Sequence, residues 1–317
     1  MPAILATTFM SASCGKMQET GYLCPITFKA EAGVSLMTRS GSPLKDQVTT
    51  FKLYGAKTVS PSPETVFDGF TMNYADDAWN YKGVNGQEIQ YWDFKAENYR
   101  FSAATDDFVV DSGTARIEGA SSSDSDNFLA LENYNTVPKS EFGEPVELQF
   151  SRLLSRISVA FYEDMEDWEV KNINFSLDGK FVNQGDYAVN LQDGTFAASN
   201  VSFIDPPGIG GTVSVSDPIG TTVETATAST FTNILPYNSS EKITLTINSC
   251  TYIDSEHNEY VFYPGMRIDI PASKAKWDLN HSYTYIVKIS DSEVILDMII
   301  DLSIHDWMPE SNETILE

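Results

Sequence analysis

Apolar and polar residues alternate along most of this chain, and the alternation is clearest near its middle. In Pro145–Tyr162, Val146, Leu148 and Phe150 alternate with Glu147 and Gln149, the period of a half-buried strand. Phe150, Leu154 and Ile157 are then spaced four and three apart, which suits a single helical turn or a wide bulge. Alternation returns at Ile157, Val159 and Phe161. The stretch therefore predicts one strand closing a first unit, a short crossover, and a second strand opening the next.

Before this stretch the pattern predicts strands over Pro25–Glu31, Val48–Ala56, Phe108–Val110, Ala115–Glu118 and Phe128–Glu132. An aromatic block, Trp79 to Ala103, predicts two core-crossing strands, with Trp92 and Phe94 on one face and Tyr99, Phe101 and Ala103 inward. After it the pattern predicts strands over Ile157–Phe161, Val170–Leu177, Tyr187–Leu191, Phe231–Leu235, Ile243–Ile247, Tyr260–Tyr263, Arg267–Ile270, Tyr283–Ile289 and Val294–Ile304. In the last of these Val294, Leu296, Met298, Ile300, Leu302 and Ile304 share one face. The Pro/Gly/Thr/Ser-rich run between Asp205 and Ser229 predicts a long loop or a flexible edge hairpin. No long segment has helical period, and Gly, Asn, Asp, Ser and Pro recur at short intervals, so the fold class is all-β, sandwich or barrel.

A chain of 317 residues exceeds the usual single domain. The prolines and glycine of residues 138–145 mark a boundary, which gives a leader and extended segment over 1–24, a first β-sandwich domain over 25–144 and a second over 145–317. No internal repeat is apparent.

The formal net charge is −25, a surface that repels nucleic-acid phosphates, so no nucleic-acid partner is expected. The acidity fits solubility in a crowded extracellular setting. Glu163–Glu169 and Asp124–Asn127 are the candidate cation loops, but the second lacks the glycine and terminal glutamate of an EF-hand loop, and both read as solvated turns. The three cysteines, Cys14, Cys24 and Cys250, form no CxxC pair. A Cys24–Cys250 disulfide and two separate buried thiols are both open. There is no GxSxG, no HExxH and no phosphate-cradling glycine loop, and His257, His281 and His305 sit in unrelated contexts. Carboxylate pairs abound among 45 acidic residues, as chance alone provides. No enzyme activity, metal or cofactor is expected.

Near the start, Ile4, Leu5, Phe9 and Met10 form a short apolar run, and Ser11-Ala12-Ser13 before Cys14 resembles the cleavage site of a bacterial lipoprotein signal. Cys14 is the expected lipidation site. No Lys or Arg precedes it and the apolar run is short, so the head of the signal is expected upstream of Met1. No segment has the apolar length of a transmembrane helix, which leaves a lipid anchor as the expected link to the outer membrane.

Several of these motifs, in order, resemble the fimbrillin family, the pilus subunits and fimbrillin-like lipoproteins of Bacteroidales bacteria. They are Thr38-Arg39 before a strand reading Phe51-Lys52-Leu53-Tyr54-Gly55; Trp79-Asn80-Tyr81, then Tyr91-Trp92, then Tyr99-Arg100-Phe101-Ser102-Ala103; Phe150 to Val159; Leu279 to Tyr283; and Ile304 to Trp307. Many family members have histidine near Arg152, where this chain departs from the pattern. The resemblance spans about residues 24 to 308. It implies two sandwich domains of transthyretin-like Greek-key topology and a cell-surface fimbrial subunit or adhesin, made as an outer-membrane lipoprotein precursor. It further implies proteolytic processing after an early arginine, here Arg39, with loss of the strand Pro25–Glu31. A strand donated by another fimbrial subunit then fills the groove, and the matching donor region is Val294–Glu317. Such an edge-to-edge addition rests on main-chain hydrogen bonds with side chains filling alternate pockets. Host or bacterial surface ligands are further partners of such a protein. The alternative from another class is a surface glycan-binding lipoprotein with Trp79, Tyr81 and Trp92 as its platform; aromatics at strand spacing read first as core.

Overall fold

The computed structural model of the chain describes residues 23–29, 48–59, 62–75, 78–124, 126–205, 208–214 and 217–290, and the backbone of 301–306. Strands joined by turns and a few single-turn 3-10 segments make up the described fold, which is all-β and sandwich-like, as expected from the alternation.

In the first half, Thr50–Val59 lies between Ser62–Ala75 and Asn98–Thr105, antiparallel to both. From edge to edge the sheet runs 146–147, 28–29, 78–80, 62–75, 50–59, 98–105, 128–130, 150–152, with 136–138 also paired to 98–105. Strands far apart in that order touch through their side chains. Phe28 meets Phe101 at 5.5 Å and Phe51 meets Phe150 at 5.0 Å between ring centroids, so the sheet curls over on itself around one aromatic core. Trp92 and Phe101, both expected inside, are buried there.

The second half is a sandwich of two sheets. One contains Ser155–Asp164 paired in parallel with His281–Ser290, flanked by Asp301–Asp306 on one side and by the short strands 227–228 and 232–234 on the other. The facing sheet contains Trp168–Asp178 and Ile243–Asp254, with 209–213, 259–262 and 266–270 at its edges. Ile157, Val159, Phe161, Tyr283, Tyr285 and Val287 of the first meet Val170, Phe175, Leu177, Leu245 and Ile247 of the second.

The two halves share a seam. Val182–Asn190 pairs with Phe196–Phe203 on one side and with Thr114–Ser121 on the other, so one sheet draws strands from both sides of Pro145. Leu129, Leu131, Leu153, Leu154, Tyr187, Val189 and Leu235 pack into a third cluster beneath it. The break in alternation after Phe150 follows from this. Phe150–Arg152 ends the first sheet against Phe128–Ala130, Leu153 and Leu154 turn into the seam, and Ser155 begins the second-half sheet. No helical turn forms there.

Other expectations change. Ser62–Ala75 was not foreseen, because its first four residues are exposed and Asp68-Gly69 interrupts its alternation; there two residues oppose Tyr54 of the partner strand, and Gly69 takes φ of +67° in that bulge. The Asp205–Ser229 run is not all loop: 209–213 pairs with Ile173–Leu177, and Thr227–Ala228 pairs with Ala160–Phe161. Cys250 is a free thiol in the second-half core, whereas Cys24 is buried in the first, so no disulfide joins them. Of the long strand expected over Val294–Ile304, residues 294–300 lie outside the described residues.

Candidate functional site

The N-terminal described segment, Leu23 to Lys29, has the most distinctive setting in the chain. Cys24, Ile26 and Phe28 are 3 %, 1 % and 5 % exposed, while Leu23, Pro25, Thr27 and Lys29 face outward. That strict alternation is the signature of a strand with one face on a core. Phe28 and Lys29 pair in parallel with Val146 and Glu147 on one side, and Phe28 pairs antiparallel with Trp79 on the other. Pro25 bridges Tyr91. The amide of Ile26 donates to the carbonyl of Gln90 (2.9 Å), Trp92 N–H to Cys24 carbonyl (2.9 Å), Val146 N–H to Thr27 carbonyl (2.8 Å), and Tyr81 Oη to Ile26 carbonyl (3.0 Å). The segment is thus bonded along both edges.

Its side chains pack into an aromatic cage. Phe28 meets Phe67, Tyr81 and Phe101 edge-on at 5.7, 6.2 and 5.5 Å, the arrangement favoured by aromatic quadrupoles. The groove beneath it is lined by Trp79, Tyr81, Trp92, Phe67, Phe101 and Val146. Its rim is fixed by polar bonds. Lys57 Nζ contacts Asp93 at 2.7 Å and Glu64 at 3.1 Å, while the Asp93 amide donates to Tyr99 Oη at 2.7 Å. The hydrogen bond from Lys57 holds the Asp93 carboxyl below its usual range and raises the lysine above its own. Burial raises the Tyr81 and Tyr99 phenols, which serve as neutral hydrogen-bonding struts.

The arrangement holds the chain's own Leu23–Lys29 segment in extended form. Among the described residues no group of His, Cys, Asp and Glu is placed to hold a metal. The candidate cation loops at 124–127 and 163–169 therefore bring no such group together. His257 sits in a turn with φ of +67°, and His281 Nδ1 bonds the Leu279 carbonyl at 2.7 Å. Cys14 and Arg39, the expected lipidation and processing sites, lie outside the described residues. Trp79, Tyr81 and Trp92, the alternative glycan platform, are 4 %, 6 % and 5 % exposed, and the structure overturns that assignment: the three rings line the groove under the first strand. Val146 as the second wall was missed, since its pairing with Phe28 is set by a contact across more than a hundred residues. Cys24, one residue before the expected strand, continued the same alternation and could have been read.

By architecture the chain is an all-β protein of curled and sandwiched sheets, with its first described segment seated in the core of one of them. The family follows from the sequence: residues 38–307 match the fimbrillin-like profile, and the chain belongs to the fimbrillin-like family. No curated protein matches it. Among solved structures it is similar to a fimbrial protein of Bacteroides vulgatus, with TM-score 0.57 and 14 % identity over 90 % of this chain and 99 % of that one. A proposed cell adhesion protein of Bacteroides ovatus aligns at TM-score 0.43 and 13 % identity, over 92 % of this chain and 100 % of that one. At 14 % identity the likeness to the Bacteroides vulgatus protein concerns the fold. Among the described residues no helix is long and apolar enough to cross a membrane.

Proposed function

We propose that this protein is a cell-surface fimbrial subunit or adhesin that assembles by strand exchange at the groove now filled by Leu23–Lys29. The observation that carries the reading is the seating of that segment: bonded along both edges, with Cys24, Ile26 and Phe28 buried in alternation. Its loss would expose Phe67, Trp79, Tyr81, Trp92 and Phe101 together, an apolar groove that does not persist in water and captures an extended apolar strand. In this reading cleavage after Arg39 releases the strand, the first-half sheet, Val146 and Glu147 included, presents the groove, and the Val294–Glu317 region of a neighbouring subunit supplies the replacement. Membership of the fimbrillin-like family supports the role. Attachment to the outer membrane is through lipid on Cys14.

The test is limited digestion of the full chain with an arginine-specific protease, followed by native electrophoresis and mass spectrometry. A cut after Arg39 accompanied by an oligomer ladder is expected, with Arg39→Ala remaining monomeric under the same treatment. A resistant Arg39, or a cut product that stays monomeric, refutes assembly by this route. For the anchor, Cys14→Ala should leave the membrane fraction of the native cell; a variant that stays lipid-bound refutes Cys14.

A further inference from the structure

Eight large apolar side chains of the described residues are exposed, and four of them are consecutive: Tyr260 at 44 %, Val261 at 58 %, Phe262 at 49 % and Tyr263 at 77 %. They belong to the strand Glu259–Phe262 and the turn after it, at the edge of the second-half sheet formed by 209–213, 168–178 and 243–254. Among the described residues no strand pairs with the outer edge of Glu259–Phe262. Folded proteins ordinarily blunt such an edge, because its free amides and carbonyls invite another strand. Here the edge carries aromatic rings.

The register explains why the rings are outside. Cys250 pairs with Phe262 and Tyr252 with Tyr260, while Val170 pairs with Tyr252 and Trp168 with Asp254. Paired residues share a face, so Trp168, Tyr252, Tyr260 and Phe262 continue the inner face of the sheet, the one that carries buried Val170 and Cys250. They extend that face past its covered part. The rings meet edge to face: Trp168 and Tyr260 at 5.7 Å, Trp168 and Tyr252 at 6.3 Å, Tyr252 and Phe262 at 4.9 Å. Each such contact covers one face of one ring, and Tyr260 and Phe262 stay 44 % and 49 % exposed, which leaves ring surface for a cation.

The surroundings are acidic. The Trp168–Asp254 pair sets two turns side by side, one carrying exposed Glu166, Asp167 and Glu169, the other Asp254, Glu256 and Glu259. Lys171, on the strand Trp168–Asp178, is already bonded to Glu259 at 2.5 Å.

We propose that the Glu259–Phe262 edge and its aromatic neighbours dock an extended segment of another protein that bears arginine or lysine. Three features converge on that occupant. The open edge offers main-chain hydrogen bonds, the ring faces accept cations, and the carboxylates complement them. A second copy of a chain of net charge −25 is disfavoured at an acidic rim. A neutral saccharide would use the rings but not the main-chain edge. The surface is independent of the Leu23–Lys29 groove, which lies in the other half.

Calorimetric titration of the full chain tests this. The probes are a peptide of alternating arginine and valine, its glutamate-for-arginine counterpart, two versions N-methylated on alternate residues, and a neutral gluco-oligosaccharide. The arginine peptide should bind, weaken as salt rises, and lose affinity by at least about tenfold against Tyr260→Ser/Phe262→Ser. One of the two N-methylated peptides should fail to bind, because only one set of amides faces the edge. The pair Tyr260→Leu/Phe262→Leu, which keeps apolar bulk at the same two positions and removes only the ring faces, repeats the test should the first pair misfold. Equal binding by the glutamate peptide, unchanged affinity in both double variants, or binding of the saccharide alone overturns the proposal.

Discussion

The seating of the first strand makes Phe28→Ala the sharpest probe of the site. Phe28 is 5 % exposed and touches three rings edge-on, so truncation removes a buried aromatic, its ring contacts and the support of its neighbours. Buried Phe→Ala changes cost about 3–5 kcal/mol, and each edge-to-face pair contributes roughly 0.5–1.5 kcal/mol beyond area. The surrounding rings are themselves closely packed: Phe67 and Phe101 are 1 % and 0 % exposed, so the site has little room to collapse and the cost should fall near the upper end. Thr27→Ala, on the outward face of the same strand, should cost within about 0.5 kcal/mol. The assay is a urea melt of the full chain, followed by tryptophan fluorescence, since Trp79 and Trp92 sit in this core. The variant should also take up an added peptide of the same strand sequence faster than the parent, because local opening of the strand is cheaper. A Phe28→Ala chain that melts like the parent, or like Thr27→Ala, would refute the view that this segment is an integral core strand.

Two further outcomes follow from the same packing. An added Cβ at Gly55 would lie 2.9 Å from Phe101 Cδ1 and 3.0 Å from Phe67 Cδ2, both immobile rings, so Gly55→Ala should destabilise by about 1–3 kcal/mol in the same melt. Burial pushes the Tyr283 phenol from 10.0 up to about 12 and raises Tyr187 and Tyr285 further, while Tyr187 and Tyr285 donate to the carbonyls of Pro236 and Lys274. Between pH 10 and 12 the unfolded chain loses these protons and the folded chain keeps them, so stability, complete below pH 10, should fall as pH rises, with Tyr283 alone contributing about 2–3 kcal/mol. Alkaline melts, with tyrosinate absorbance read on the folded chain, check this; stability that is flat to pH 12 would contradict it.

Much of the strand inventory was legible because alternation is a local property. Phe51, Leu53, Phe101, Ala103, Ile157, Val159 and Phe161 lie inside as their spacing implies. The aromatic order from Trp79 to Ala103 and the run through Val159 sufficed to mark the family. Which strand pairs with which was not legible. The pairing of Phe28 with Val146, the parallel match of Ile157 with Tyr283, and the sheet shared across Pro145 are long-range choices that depend on how whole faces stack. The sequence by itself also determines that Tyr260-Val261-Phe262-Tyr263 is a strand-like apolar run, indistinguishable by pattern from a buried one. Only the tertiary structure decides that Ile26 and Phe28 lie under other strands while Tyr260 and Phe262 stay in water, because burial of a sheet face depends on how far the opposing sheet reaches over it.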